Sequence, residues 1–303
     1  MDAGTRVASS RVDVPSWRSV FWTGLILWIA SVVVTAYTRN FNLIPTVVLL
    51  GSFLIPVTAV VWYLDHYEGP QVTPRVIFSA FIIGGVLGIL AASVLESWLP
   101  RNNPLIYVAV GLIEEFAKLL GLLFISRGLA YYVVREGILL GAAVGFGFGA
   151  LESAGYALTS LFVARGHGIV ALSLNSLVFT ELLRGILSPL GHGLWTAILG
   201  GVLFGASRHG RLRFTWGVAG AYLLVSFLHT LWDGMQDIAY VLTVLFTGTP
   251  AQRIALTKGV SLPTTIPHAG LFLSLEIGGL VLISIVGIVV WWTLWRRDGQ
   301  ASS

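Results

Sequence analysis

Long apolar runs, one after another, constrain this chain more than any other feature. About eight are readable, at approximately 19–38, 43–64, 75–95, 105–126, 136–162, 186–206, 214–235 and 270–295. Each approaches or exceeds the ~20 residues a helix needs to cross a bilayer. Only 11% of the 303 residues are charged, against roughly 25% in soluble domains. The expected fold class is therefore all-α, a polytopic transmembrane helical bundle. A soluble enzyme is excluded. The first run is longer than a signal-peptide core of about 7–15 residues, and no A-x-A site follows it, so it reads as a retained span. Two segments are ambiguous. Residues 168–185 read either as an interfacial helix or as an extension of the sixth span broken near Pro189. Residues 236–250 are similar.

Basic residues set the expected orientation. One group of ends and loops holds Arg6, Arg11, Arg18, Arg75, Arg127, Arg135, Arg208, Arg211, Arg213, Arg296 and Arg297. The alternate group holds Arg39, Arg101, Arg165, Arg184, Arg253 and Lys258. The richer group is expected in the cytoplasm, with both termini inside the cell membrane. The pI of about 9.6 thus reflects topology, and no nucleic-acid partner is expected. The division expected is a cytoplasmic tail (1–18), N-terminal spans (19–104), a chemically active core (105–235), and a linker with the last span and a cytoplasmic tail (236–303). Both tails, including "DGQASS" at the end, read as disordered.

A charge near a bilayer centre costs roughly 2.5–3.5 kcal/mol on insertion scales, so such groups face the bundle interior and pair. The fourth run contains "EEFAK". Glu114 and Lys118 are four apart, acid first, and so share a face, while Glu115, three from Lys118, is also close to it. One ammonium cannot fully compensate two adjacent carboxylates, and a carboxylate so placed can act as a general base. The bland alternative is a staple between helices. In the fifth run, Gly141, Gly145 and Gly149 make a small-residue face, and Glu152 lies one turn after Phe148. The sixth carries His192 with Thr196 on its face. The seventh carries His229 and Asp233 four apart, so that the carboxylate can orient the imidazole. His66, His167, His209 and His268 fall in loops or at span ends and receive no role. Glu181, Arg184 and Glu276 read as structural, the first two as a pair with each other, although Arg184 could instead steady a carboxylate at the site.

Depth tests whether these groups can meet. At 1.5 Å per residue, Glu114 lies roughly 14 Å and His192 about 9 Å from the outer edge. Glu152 lies about 24 Å and His229 about 23 Å from the inner edge. All fall in the outer half of a core of about 30 Å. With no cysteine in the chain, disulfides, thiol nucleophiles and Cys-ligated zinc are excluded. No H-E-x-x-H, Gly-x-Ser-x-Gly or phosphate-binding loop is present. Ser153, beside Glu152, has no specific dyad partner. What remains suits water activation by carboxylate, with His or Asp stabilising the oxyanion. The same groups could instead hold a divalent ion, zinc among them.

"EEFAK", "FGALE", "HGLWTAILG" and "HTLWD" occur in the order of the EExxK, FxxxE and HxxxD blocks of the PrsW intramembrane proteases, and residues 105–235 resemble that family. The CAAX prenyl proteases and bacteriocin-immunity-type membrane proteins are more distantly similar. The resemblance implies a membrane-embedded peptidase that cuts a single-span membrane protein, such as an anti-sigma factor, near the extracytoplasmic face. It implies Glu114 and Glu115 as water activators and Lys118 as the residue holding the carboxylate pair. Glu152 and His192 would assist or hold a metal, and His229 and Asp233 would bind the oxyanion or complete the ligand set. The metal candidates are Glu152, His192 and His229. Of the glutamic and metallo alternatives, the metal-free one is preferred at this stage. An ion-coupled transporter and a non-catalytic scaffold of the same fold are the rival readings.

Overall fold

The computed structural model describes residues 15–67, 71–100, 105–165, 169–258 and 268–301. Arg6, Arg11, Arg101, His167 and most of the expected N-terminal tail lie outside them. The long helices follow the apolar runs: α1 (Trp17–Thr38), α2 (Ile44–His66), and a third rod made of α3 (Pro74–Ser79), a π turn (Ala80–Gly84) and α4 (Gly85–Glu96). Next come α5 (Ile106–Ser126) and α6 (Val134–Ser160). A hairpin of β1 (Phe162–Arg165) and β2 (Ile169–Leu172) follows, antiparallel with Phe162 opposite Leu172. Then come α7 (Leu174–Leu187), α8 (His192–Gly205), α9 (Trp216–Asp233), α10 (Met235–Thr247), α11 (Pro250–Thr257) and α12 (Ala269–Ala301).

Local chemistry sets several boundaries. Thr73 caps α3, with Pro74 at its first turn, where a missing N–H costs nothing. Thr249 and Gln252 form a capping box at α11. A 3-10 turn containing Pro189 separates α7 from α8, so the described part of the ambiguous segment, 169–185, resolves into the second hairpin strand and the first half of a broken sixth span. At 13 residues, α10 falls short of the ~20 needed to cross. The expected C-terminal tail differs: α12 continues through Ala301, because nothing in "DGQA" beyond one glycine interrupts the helix begun by the last span.

Among the described residues, six helical segments are long and apolar enough to cross a membrane, so the chain is a polytopic helical membrane protein. The other two expected spans are the helices α5 and α9. One bears Glu114, Glu115 and Lys118, and the other bears His229 and Asp233, polar groups that interrupt their apolar character. Both are nevertheless packed between apolar neighbours. Contacts fix the helix directions. Trp17 meets Asp65 and Gly24 meets Leu54, so α2 returns antiparallel to α1. Gly137, Gly141 and Gly145 of α6 face Gly200, Thr196 and His192, so α8 returns antiparallel to α6. Tyr107 meets Thr230 and Leu112 meets Tyr222, making α5 and α9 antiparallel. Gly287 and Gly201 of α12 and α8 meet Leu194 and Leu294, making that pair parallel. The rods α1, α2, α3–α4, α5, α6, α7–α8, α9 and α12 therefore alternate in direction.

The centre of the bundle is α6, with 83% of its span buried, against 11% for α1 and 17% for α12. Lipid is as apolar as leucine, so close backbone approach rather than apolar burial holds such helices together. A Cβ on Gly141 or Gly145 would run into the main-chain carbonyls of Thr196 and His192. The glycines thus let α8 lie directly against α6.

Candidate active site

Adjacent residues on a helix point about 100° apart, and Glu114 and Glu115 use that divergence. Both are buried, as is Lys118. Glu115 Oε1 accepts from Lys118 Nζ at 2.7 Å and from His229 Nδ1 at 3.0 Å. Glu114 turns the other way. Its Oε2 lies 3.5 Å from Lys118 Nζ, 3.5 Å from His229 Nε2 and 3.9 Å from His192 Nδ1, yet makes no hydrogen bond. The Lys118 ammonium also sits 4.3 Å from the centre of the Phe148 ring and donates to His192 Nδ1 at 2.7 Å.

His192 begins α8, immediately after the Pro189 break, and that placement frees its ring to reach α6 as well as α5. Nε2–H donates to Glu152 Oε2 at 2.8 Å, so Nδ1 carries the lone pair. Glu152 also receives Arg184 Nη2. Arg184 Nε donates to Ser153 Oγ at 2.9 Å, and its guanidinium lies 4.3 Å over the Tyr156 ring. On α9, donation from His229 Nδ1 to Glu115 leaves Nε2 as the lone-pair atom of the neutral imidazole. That nitrogen is 3.3 Å from Asp233 Oδ2 and has no hydrogen-bond partner. Trp195, fully buried, lies against the His229 ring at 4.8 Å between centroids.

The residues singled out from the sequence, Glu114, Glu115, Lys118, Glu152, Arg184, His192, His229 and Asp233, thus fall in one connected network. Arg184 pairs with Glu152 and not with Glu181, whose Oε2 accepts from the Trp28 indole at 2.8 Å. Helix α7 turns Arg184 toward α6 and Glu181 toward α1 and α2. Ser153 serves as acceptor to Arg184. His66 binds the Trp62 carbonyl, and His268 caps α12 through the Leu271 N–H. Trp195 was not singled out. Its signal was available, three residues after His192 on the same face, but a tryptophan in an apolar helix looks like any other core residue. Two cavities adjoin the network. One, of about 160 Å³, is walled by Glu152, Arg184, His192 and Asp233. The other, about 350 Å³, reaches Glu114 and Glu152 between α4 and α6.

The donor set fits a divalent cation. Glu114, His192 and His229 each offer one ligand atom, all within 4.8 Å of one another, and His with carboxylate is a ligand set typical of catalytic zinc. Glu114 Oε2 and, in the neutral imidazole, His229 Nε2 are buried electron-pair donors with no hydrogen-bond partner. The network also sets four carboxylates against the two permanent cations Lys118 and Arg184, an imbalance that an added cation would reduce. Glu152 stands behind His192 and orients it, as the outer partner of a ligating imidazole does.

No curated protein and no solved structure matches the chain. The family described as PrsW family intramembrane metalloprotease matches over residues 73–256, a stretch that spans more than half of the chain and contains every member of this network. The chain therefore belongs to the PrsW family of intramembrane proteases.

Proposed function

We propose that this protein hydrolyses a peptide bond in a single-span, membrane-anchored protein, of the anti-sigma-factor kind, near the extracytoplasmic face. The observation that carries the reading is the meeting of Glu114 Oε2 and His229 Nε2, two buried polar atoms without a hydrogen-bond partner, in a network that borders open cavities. A reacting water has room and acceptors there, in a setting where the bilayer supplies none.

Glu115 is committed to Lys118 and His229, so its role is to fix the His229 tautomer. Glu152, held by Arg184, does the same for His192. Glu114 is the carboxylate of the pair that reaches the larger cavity, where its Oε2 has no hydrogen-bond partner, and we assign it the water. Were a divalent metal such as zinc bound, Glu114, His192 and His229 would hold it, and it would supply Lewis acidity and a water of lowered pKa. Asp233, beside His229 Nε2 and in the wall of the smaller cavity, would then be the carboxylate left to take the water's proton. Lys118 is placed to hold the network together in either case.

The test is cleavage of a single-span reporter by full-length protein in lipid nanodiscs, read by mass spectrometry. Replacing Glu114 by Gln or His229 by Ala should lower the rate by roughly 100-fold or more while the protein still folds. Unchanged cleavage in both variants would remove the hydrolytic reading. Asp233→Asn separates the two mechanisms, because a severe loss that tracks bound zinc and its removal by chelator points to the metal form. Full activity in zinc-free protein, with a mild Asp233→Asn effect, points to glutamate alone.

A further inference from the structure

Helices α4 and α6 run in the same direction, touching at one end and parting at the other. Gly85 lies against Gly147, and Gly88 lies against the Phe148 ring. Further along, a Cβ on Gly155 would meet nothing within 4 Å. The gap is a groove of about 350 Å³. Ser93 and Glu96 line it from α4, one residue short of a turn apart, while Glu152 and Tyr156 line it from α6, one turn apart. Glu114 reaches the same groove from α5, presenting its buried, unpartnered oxygen. Among the described residues, three carboxylates and no Lys or Arg line the groove. Glu114 and Glu152 belong to the catalytic network. Glu96 does not: it is half-buried at the last residue of α4, and its Oε1 has no hydrogen-bond partner.

We propose that this groove admits the cleavage segment of the substrate, and that Glu96 selects a substrate with a lysine or arginine close to the scissile bond. The inference rests on the peptidase reading of the site and adds a substrate class to it. Gly84 of the third rod meets Gly121 of α5, and the two rods run in opposite directions, so Glu114 stands near the level of Ala92. Glu96 is one turn beyond, roughly 6 Å along the helix. An extended chain rises about 3.3 Å per residue, so the selected cation lies about two residues from the cut. An unpaired carboxylate at the edge of a membrane-embedded groove favours a cationic partner and disfavours an acidic one, and the repulsive half gives the sharper discrimination.

The experiment uses single-span reporters that differ only in bearing Lys, Gln or Glu at the positions two residues either side of the mapped cut. They are given to full-length protein in nanodiscs. Wild type should cut the Lys reporter with kcat/KM about fivefold or more above the Glu reporter. Glu96→Gln should level the series, and Glu96→Lys should reverse it. An identical order in wild type and Glu96→Lys would overturn the inference while leaving hydrolysis intact. A parallel arm measures photocrosslinking of the same reporters to the Glu114→Gln protein. Capture that follows the charge at position 96 without any cleavage by wild type would uphold the groove and sink the peptidase reading. Neither cleavage nor charge-dependent capture would sink both.

Discussion

One lone pair sits at the centre of the site's chemistry. His192 gives its Nε2–H to Glu152, so Nδ1 has a single electron pair, and the Lys118 ammonium holds it at 2.7 Å. A metal bound by Glu114, His192 and His229 would need that same pair. Lys118 is then both the cation that steadies the carboxylates and a competitor of the metal. Removing it with Lys118→Met should tighten zinc binding by about tenfold, since a hydrogen bond from a charged donor is worth roughly 1.5–3 kcal/mol. Chelator competition on the purified protein reads this directly. Weaker binding in the variant would mean that Lys118 organises the ligands more than it blocks them. At this scale the sequence exposed the ionisable groups because charge in an apolar run is conspicuous. It exposed fewer of their partners. Spacing along one helix suggested Glu181 with Arg184, whereas Arg184 crosses to Glu152 on another helix, a choice made by how α7 is rotated against α6.

Helix pairs show how a backbone contact sets a side chain. The Gly145 surface meets the carbonyl of His192, and the Gly141 surface meets that of Thr196 one turn on. Both glycines were legible as a four-residue repeat, and the helix they admit is α8. Valine at either position forces α8 outward, and overpacking of this kind costs about 1–3 kcal/mol. Gly145→Val moves the residue that bears the imidazole, whereas Gly141→Val acts a turn away. Both variants should therefore unfold at lower temperature, but only Gly145→Val should lose zinc binding or cleavage beyond what its lost stability explains. Equal effects on both readouts would show that the contact is merely packing. The broken sixth span was foreshadowed by Pro189 alone. The hairpin before it was not, because its two four-residue strands are continuous in apolar character with the spans on either side.

Across the whole molecule, the eight rods alternate in direction, which brings the start of α1 and the end of α12 to the same end of the bundle. The reacting groups lie toward the opposite end. Glu114 is eight residues into α5 and Glu152 eight from the end of α6, each roughly 12 Å from its terminus. The apolar runs and their count made this arrangement readable, while the rotation of each rod, on which the site depends, is decided by inter-helix contacts that no single run encodes. We propose that the end bearing Arg18, Arg127, Arg208, Arg211 and Arg296 faces the cytoplasm, as an excess of basic residues there favours, which would put the site in the outer half. The chain has no cysteine, so single cysteines introduced at Ser9, Asn40, Ser97 or Ser302 report their side without background. A membrane-impermeant thiol reagent applied to intact cells should label Asn40→Cys and Ser97→Cys, and should reach Ser9→Cys and Ser302→Cys only after the membrane is opened. The reverse pattern would turn the groove beside Glu96 toward the cytoplasm, and the substrate's cut site would have to be sought on that side.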